Sequence, residues 1–111
     1  MQESIREEVE NGQAVAVLLA RPEEPSAPTI ELLCPLGDKG LLAKRLKQVG
    51  EGFHHICYRV VGIENHLLRL KNSGVQLIDE TPRPGISGSK IAFIHPKSTM
   101  GLLVELAEHD K

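Results

Sequence analysis

A chain of 111 residues, 41% hydrophobic and 25% charged, holds one domain's worth of material and enough apolar content for a modest core. Its 13 basic and 15 acidic residues leave a formal charge of -2 with no block of like charge, which argues against a nucleic-acid footprint or a polybasic membrane patch. No apolar run approaches the roughly 18 residues of a membrane helix, and the opening MQESIREEVENG lacks a signal-peptide core. A cytoplasmic protein that meets small molecules or protein partners is therefore expected, with Cys34 and Cys57 as reduced, buried thiols inside apolar runs.

Residues 4–9 mix polar and apolar side chains, and Asn11-Gly12 is a short-turn dipeptide ahead of the apolar run 14–20, which predicts a hairpin. Three prolines within 21–28 forbid a ladder or a helix there, so the segment reads as a surface connection to a strand over 29–34. From 39 to 49, Leu41, Leu42, Leu46 and Val49 recur at helical spacing, and Gly50 and Gly52 end the run. The stretch 53–61 is β-branched and aromatic. Alternation along it puts His54, Ile56, Tyr58 and Val60 on one face and Phe53, His55, Cys57 and Arg59 on the other, so the adjacent histidines point opposite ways. Ile63, Leu67 and Leu70 form the stripe of a second helix that ends at Asn72-Ser73-Gly74. Further strands are predicted over 76–80, 90–95 and 102–107, separated by loops at 82–89 and 96–101. The second half thus runs βαβββ, behind a first half of three strands with no opening strand-helix pair.

Four motifs then stand in order: Gly50-Glu51-Gly52-Phe53-His54-His55-Ile56, Pro82-Arg83-Pro84-Gly85, His95-Pro96-Lys97-Ser98 and Leu102-Leu103-Val104-Glu105-Leu106. In that spacing they resemble the second module of the methylmalonyl-CoA epimerase family, within the glyoxalase-like vicinal-oxygen-chelate superfamily. Upstream, Glu31-Leu32-Leu33-Cys34-Pro35-Leu36-Gly37 resembles the end of that family's first module. The resemblance implies an α+β fold of paired βαβββ modules forming a cupped mixed sheet, with the first module incomplete because its opening strand and helix are absent. Residues 1–111 then form a single glyoxalase-like domain, with 1–37 the truncated first module, 38–52 a connecting helix and 53–111 the complete second module.

The resemblance also implies a divalent metal, one of Co, Mn, Zn, Ni or Mg, held by Glu31, His55 and Glu105. A fourth ligand would lie on a strand preceding residue 1. Removing a proton from the carbon between a thioester and a carboxylate creates an enolate, and a metal that chelates both oxygens stabilises its charge. Glu105 is the implied catalytic carboxylate, while a glutamate that some family members carry is replaced near Ala16. Lys97 and Ser98 are implied on the substrate side, with Lys97 and Arg83 placed to meet coenzyme A phosphates. Taken without the resemblance, Glu31 and Glu105 are glutamates on solvated strand faces and His55 is a rim histidine. On the same terms 95–98 is an ordinary loop, and His66 and His109 are surface residues.

Edges opened by an absent strand invite pairing with another chain, so a homo-oligomer is expected. Two functions follow. One is a metal-dependent epimerase that racemises the carbon alpha to an acyl-CoA thioester. The other is a non-catalytic small-molecule-binding or assembly module on the same fold. A shortened product of a longer gene would account equally well for the absent segment.

Overall fold

The computed structural model describes residues 1–109, which belong to two compact units, Met1–Gly52 and Phe53–Lys111. The fold is α+β: a three-stranded sheet in the first unit, a four-stranded sheet in the second, and one α-helix in each.

In the first unit β1 (Gln2–Val9), β2 (Ala14–Ala20) and β3 (Ile30–Pro35) form an antiparallel sheet in that order, followed by α1 (Leu41–Val49). The β1–β2 connection turns through Glu10, Asn11 and Gly12, with φ of 54°, 56° and 83°. Asn tolerates that left-handed region, and Gly enters it without a steric cost. The register sets Glu7 opposite Ala16 and Ile5 opposite Leu18, and across β2 it sets Ala16 opposite Leu33 and Leu18 opposite Glu31. Side chains opposite one another share a face, so Glu7 and Glu31 stand on the same side of the sheet as Ala14 and Ala16. Both of those alanines are buried.

The helix expected over 39–49 forms, but its apolar stripe is not covered. Leu41 and Val49 are 76% and 65% exposed, and Ala43 is the buried side chain of α1. Leucines at helical spacing set which way a helix turns its apolar side, not whether another surface meets it.

The second unit contains β4 (Ile56–Arg59), α2 (Ile63–Asn72), β5 (Arg83–Pro84), β6 (Lys90–Ile94) and β7 (Val104–Glu108). Its sheet runs β4-β7-β6-β5, with β4 parallel to β7 and the other pairs antiparallel. Ile63 and Leu67 of α2 pack on Ala92, Ile94, Val104 and Leu106 to form the core. By the pleat, Phe93 and Glu105 stand on the opposite face.

Gly62, at φ 74°, opens α2 without a side chain that can cap it. The Glu108 carboxylate at the end of β7 accepts the Gly62 and Ile63 amides at 2.8 and 3.1 Å instead. No helix among the described residues is long and apolar enough to cross a membrane.

Three expectations change on contact with the structure. The segment 76–80 is not a ladder strand: it makes an isolated bridge from Leu77 to Ile94, and the Ile78 and Asp79 amides both donate to the Phe93 carbonyl, at 3.0 and 3.2 Å. The edge strand is Arg83–Pro84, inside the segment read as a loop. Proline's missing amide costs least in such an edge position. Cys34 and Cys57 form no disulfide among the described residues, yet both are exposed rather than buried, since each lies on an edge strand, β3 or β4.

Candidate active site

β4 and β7 lie side by side and parallel, with Ile56 level with Val104 and Cys57 level with Glu105, so the residue just before β4 sits beside the start of β7. His55 occupies that place. Its Nε2 lies 3.0 Å from Glu105 Oε1, and the two side chains are only 11% and 13% exposed. The Phe93 ring from β6 meets the imidazole edge-on, with centroids 6.0 Å apart. On the far side of the ring, His55 Nδ1 lies 2.9 Å from His54 Nδ1. The adjacent histidines therefore do not point in opposite directions: β4 starts only at Ile56, so strand alternation does not yet govern positions 54 and 55.

A second chain of contacts runs along the same face. Asp79 Oδ2 accepts the Phe93 amide at 2.8 Å, and its Oδ1 lies 3.3 Å from Arg83 Nε. The Arg83 guanidinium carbon stands 5.2 Å from the centre of the Phe93 ring. This cluster was not legible in the sequence. It needs both the irregular pairing at Ile78 and Asp79 and the edge strand at Arg83, and no local pattern encodes either.

Of the residues implied by the resemblance, the structure brings His55 and Glu105 together. Glu31 lies half-buried on β3 of the first unit, opposite Leu18. Among the described residues, no three of His, Cys, Asp and Glu are grouped as a metal site would need. The His55–Glu105 pair by itself suits a divalent ion, because two donors about 2.1 Å from one ion and at right angles stand about 3 Å apart. An imidazole nitrogen and a carboxylate oxygen are also the donor types that borderline divalent metals accept.

Lys97 is exposed on a 3₁₀ turn, Pro96–Ser98, whose first amide turn is closed by His95 Nδ1 accepting from the Lys97 amide at 3.1 Å. The Ser98 hydroxyl accepts the Gln76 amide at 2.8 Å, which ties this turn to the segment after α2. A cavity of about 500 Å3 lies on the α2 side of the sheet, lined by Tyr58, Leu70, Ile94, Val104 and Leu106. Glu105 is absent from its walls because it projects from the other face.

Residues 1–93 match the family model described as Glyoxalase/Bleomycin resistance protein/Dioxygenase superfamily. The chain belongs to this superfamily. Among its glyoxalase-superfamily relatives, the mitochondrial methylmalonyl-CoA epimerase of Dictyostelium discoideum is 45% identical over 80 residues, 71% of this chain and 48% of that protein. The chain thus spans about half the length of the curated relatives it matches.

Among solved structures, the methylmalonyl-CoA epimerase from Mycobacterium tuberculosis superposes with a TM-score of 0.86 at 36% identity, covering 98% of this chain and 71% of that one. A Streptomyces coelicolor methylmalonyl-CoA epimerase variant in complex with 2-nitronate-propionyl-CoA gives 0.79 at 28% identity, covering 94% and 74%.

Proposed function

We propose that this chain is an epimerase of the methylmalonyl-CoA type, inverting the carbon between a thioester and a carboxylate of an acyl-CoA. One observation carries this: within a family whose relatives are named for that reaction, His55 and Glu105 meet at 3.0 Å, largely out of solvent. Glu105 takes the proton from carbon 2, and the C–H electron pair moves into the thioester carbonyl to give an enolate. Water delivers a proton to the opposite face and Glu105 gives its own up to solvent, which completes the inversion. His55 fixes the Glu105 oxygen, and Phe93 shields one side of the imidazole.

A divalent ion, one of Co, Mn, Zn, Ni or Mg, held by His55 and Glu105 would supply positive charge to the developing oxyanion. Glu31 joins this ligand set through the sequence resemblance. Lys97 and its neighbour Ser98 belong on the substrate side, with Lys97 offering its exposed ammonium to an acyl-CoA phosphate.

The test combines elemental analysis for metal with deuterium exchange at carbon 2 of methylmalonyl-CoA, on wild type and His55→Ala. Exchange that depends on metal and is lost in the variant is expected. A folded wild type with neither metal nor exchange would sink the epimerase reading. In its place would stand a non-catalytic small-molecule-binding or assembly module.

We also propose that the chain forms a homo-oligomer. Ile30 and Leu32 are 48% and 52% exposed on β3, which closes one edge of the first sheet. An apolar edge of this kind pairs readily with another chain. Light scattering at micromolar concentration should return a mass above one chain, and a strict monomer would count against the proposal.

A further inference from the structure

We propose that Arg83 is an anion-binding residue beside the His55–Glu105 pair, holding an anionic oxygen group of the acyl-CoA; the inference rests on the substrate class proposed above. Arg83 is fixed at two points. Its Nε lies 3.3 Å from Asp79 Oδ1, and its guanidinium carbon stands over the Phe93 ring, 5.2 Å from the ring centre. Those contacts engage Nε and the guanidinium carbon, and among the described residues neither terminal nitrogen has a protein hydrogen-bond partner. The side chain is 51% exposed.

A half-exposed guanidinium restrained at its stem, with its terminal nitrogens uncommitted, is prepared for a bidentate carboxylate or phosphate. Asp79 is itself held in place by accepting the Phe93 amide, so Arg83, Phe93 and His55 are set in one chain of contacts on one sheet face. The loop after Arg83 keeps the strand close. A Cβ on Gly85 would lie 2.5 Å from Ile91 Cγ2 and 2.6 Å from Ser89 Oγ, so only glycine allows β5 to turn back onto β6 there.

Both the free carboxylate of the acyl group and the phosphates of coenzyme A present this chemistry. Two probes separate them: methylmalonyl-CoA, and methylmalonyl-pantetheine, which keeps the carboxylate and lacks every phosphate. Dissociation constants for both are measured by calorimetry on wild type, Arg83→Ala and Arg83→Gln, with circular dichroism reporting the fold. Loss of one charge-assisted contact at a half-exposed site should weaken binding about tenfold. Weakening for both probes assigns the carboxylate, and weakening for the CoA thioester alone assigns the phosphates.

Unchanged constants for both probes in Arg83→Gln, which can keep the contact with Phe93, overturn the inference. A wild type that binds both probes but exchanges no carbon-2 proton sinks the epimerase reading and leaves the anion site standing. A wild type that binds neither overturns both.

Discussion

At His55 both ring nitrogens are engaged, Nδ1 by His54 and Nε2 by Glu105. If His55 donates from Nδ1, its Nε2 is a bare lone pair facing a carboxylate at 3.0 Å, and a proton or a cation must lie between them. If His54 donates instead, His55 carries its proton on Nε2 and gives it to Glu105. A divalent ion bound as proposed above would select the first arrangement, with His54 as the acceptor that orients the imidazole. Metal-ligating histidines usually rely on such a partner, and its loss typically costs ten- to a hundredfold in affinity. His54→Ala should therefore weaken binding of Mn²⁺ or Co²⁺ by roughly that factor in a calorimetric titration. Unchanged affinity would mean that the 2.9 Å contact plays no orienting role. The meeting of an imidazole with a carboxylate was legible in the motif around His54-His55 and in the glutamate of β7. The partnership between the two imidazoles was not, because strand alternation begins only at Ile56, three residues after the predicted strand start at Phe53.

Among the elements, α2 illustrates a helix whose start is secured from far along the chain. Its glycine N-cap has no side chain to offer, and Glu108 supplies the acceptor from 46 residues away. The Gly62 amide first, and then the Ile63 amide, hold the Glu108 carboxyl below its ordinary value of 4.5. A folded-state value below the unfolded one means the contribution is complete above about 4.5 and is lost as the pH falls through the folded value. Glu108→Gln should thus lower the thermal midpoint at pH 7 and narrow the gap between melts at pH 7 and in the acid range. An equal acid-induced drop in the variant and wild type would show that other carboxylates set it. The positions of β2, β3, α2 and β6 were readable because each carries its own period or its own turn signals. Residues 76–80 read as a strand for the same reason, yet their two amides converge on one carbonyl, and such a choice is made by the partner strand.

Considered as a whole, the chain divides its apolar material unevenly. The fully buried side chains of the first unit are alanines, Ala14, Ala16 and Ala43, whereas the second buries Ile63, Leu67, Ile94 and Leu106. Burial of branched side chains contributes far more than burial of a methyl group, and local opening follows such differences. Hydrogen exchange followed by mass spectrometry should find the amides of β6, β7 and α2 exchanging more slowly than those of β1 to β3. Equal protection across both units would mean that association or ligand, and not internal packing, sets the order. In the second unit β4, α2, β6 and β7 were legible because the helix carries a complete stripe and turn residues bound the strands, whereas the strand after the helix was not, since it lies at Arg83–Pro84 inside a segment with loop composition. The exposure of Leu41 and Val49 was not, since amphipathic spacing carries no record of what lies opposite.

The exposure of Cys34 has a practical consequence at this scale. It lies on the edge strand β3, next in line to Leu32 on the same face, so two copies that pair along that edge would carry their thiols towards each other. In aerated buffer a covalent dimer should accumulate, visible as a doubled band on a non-reducing gel and absent from Cys34→Ser. The solution mass of this protein is therefore meaningful only when measured under a reductant, where association through the proposed strand edge is read apart from an oxidation product.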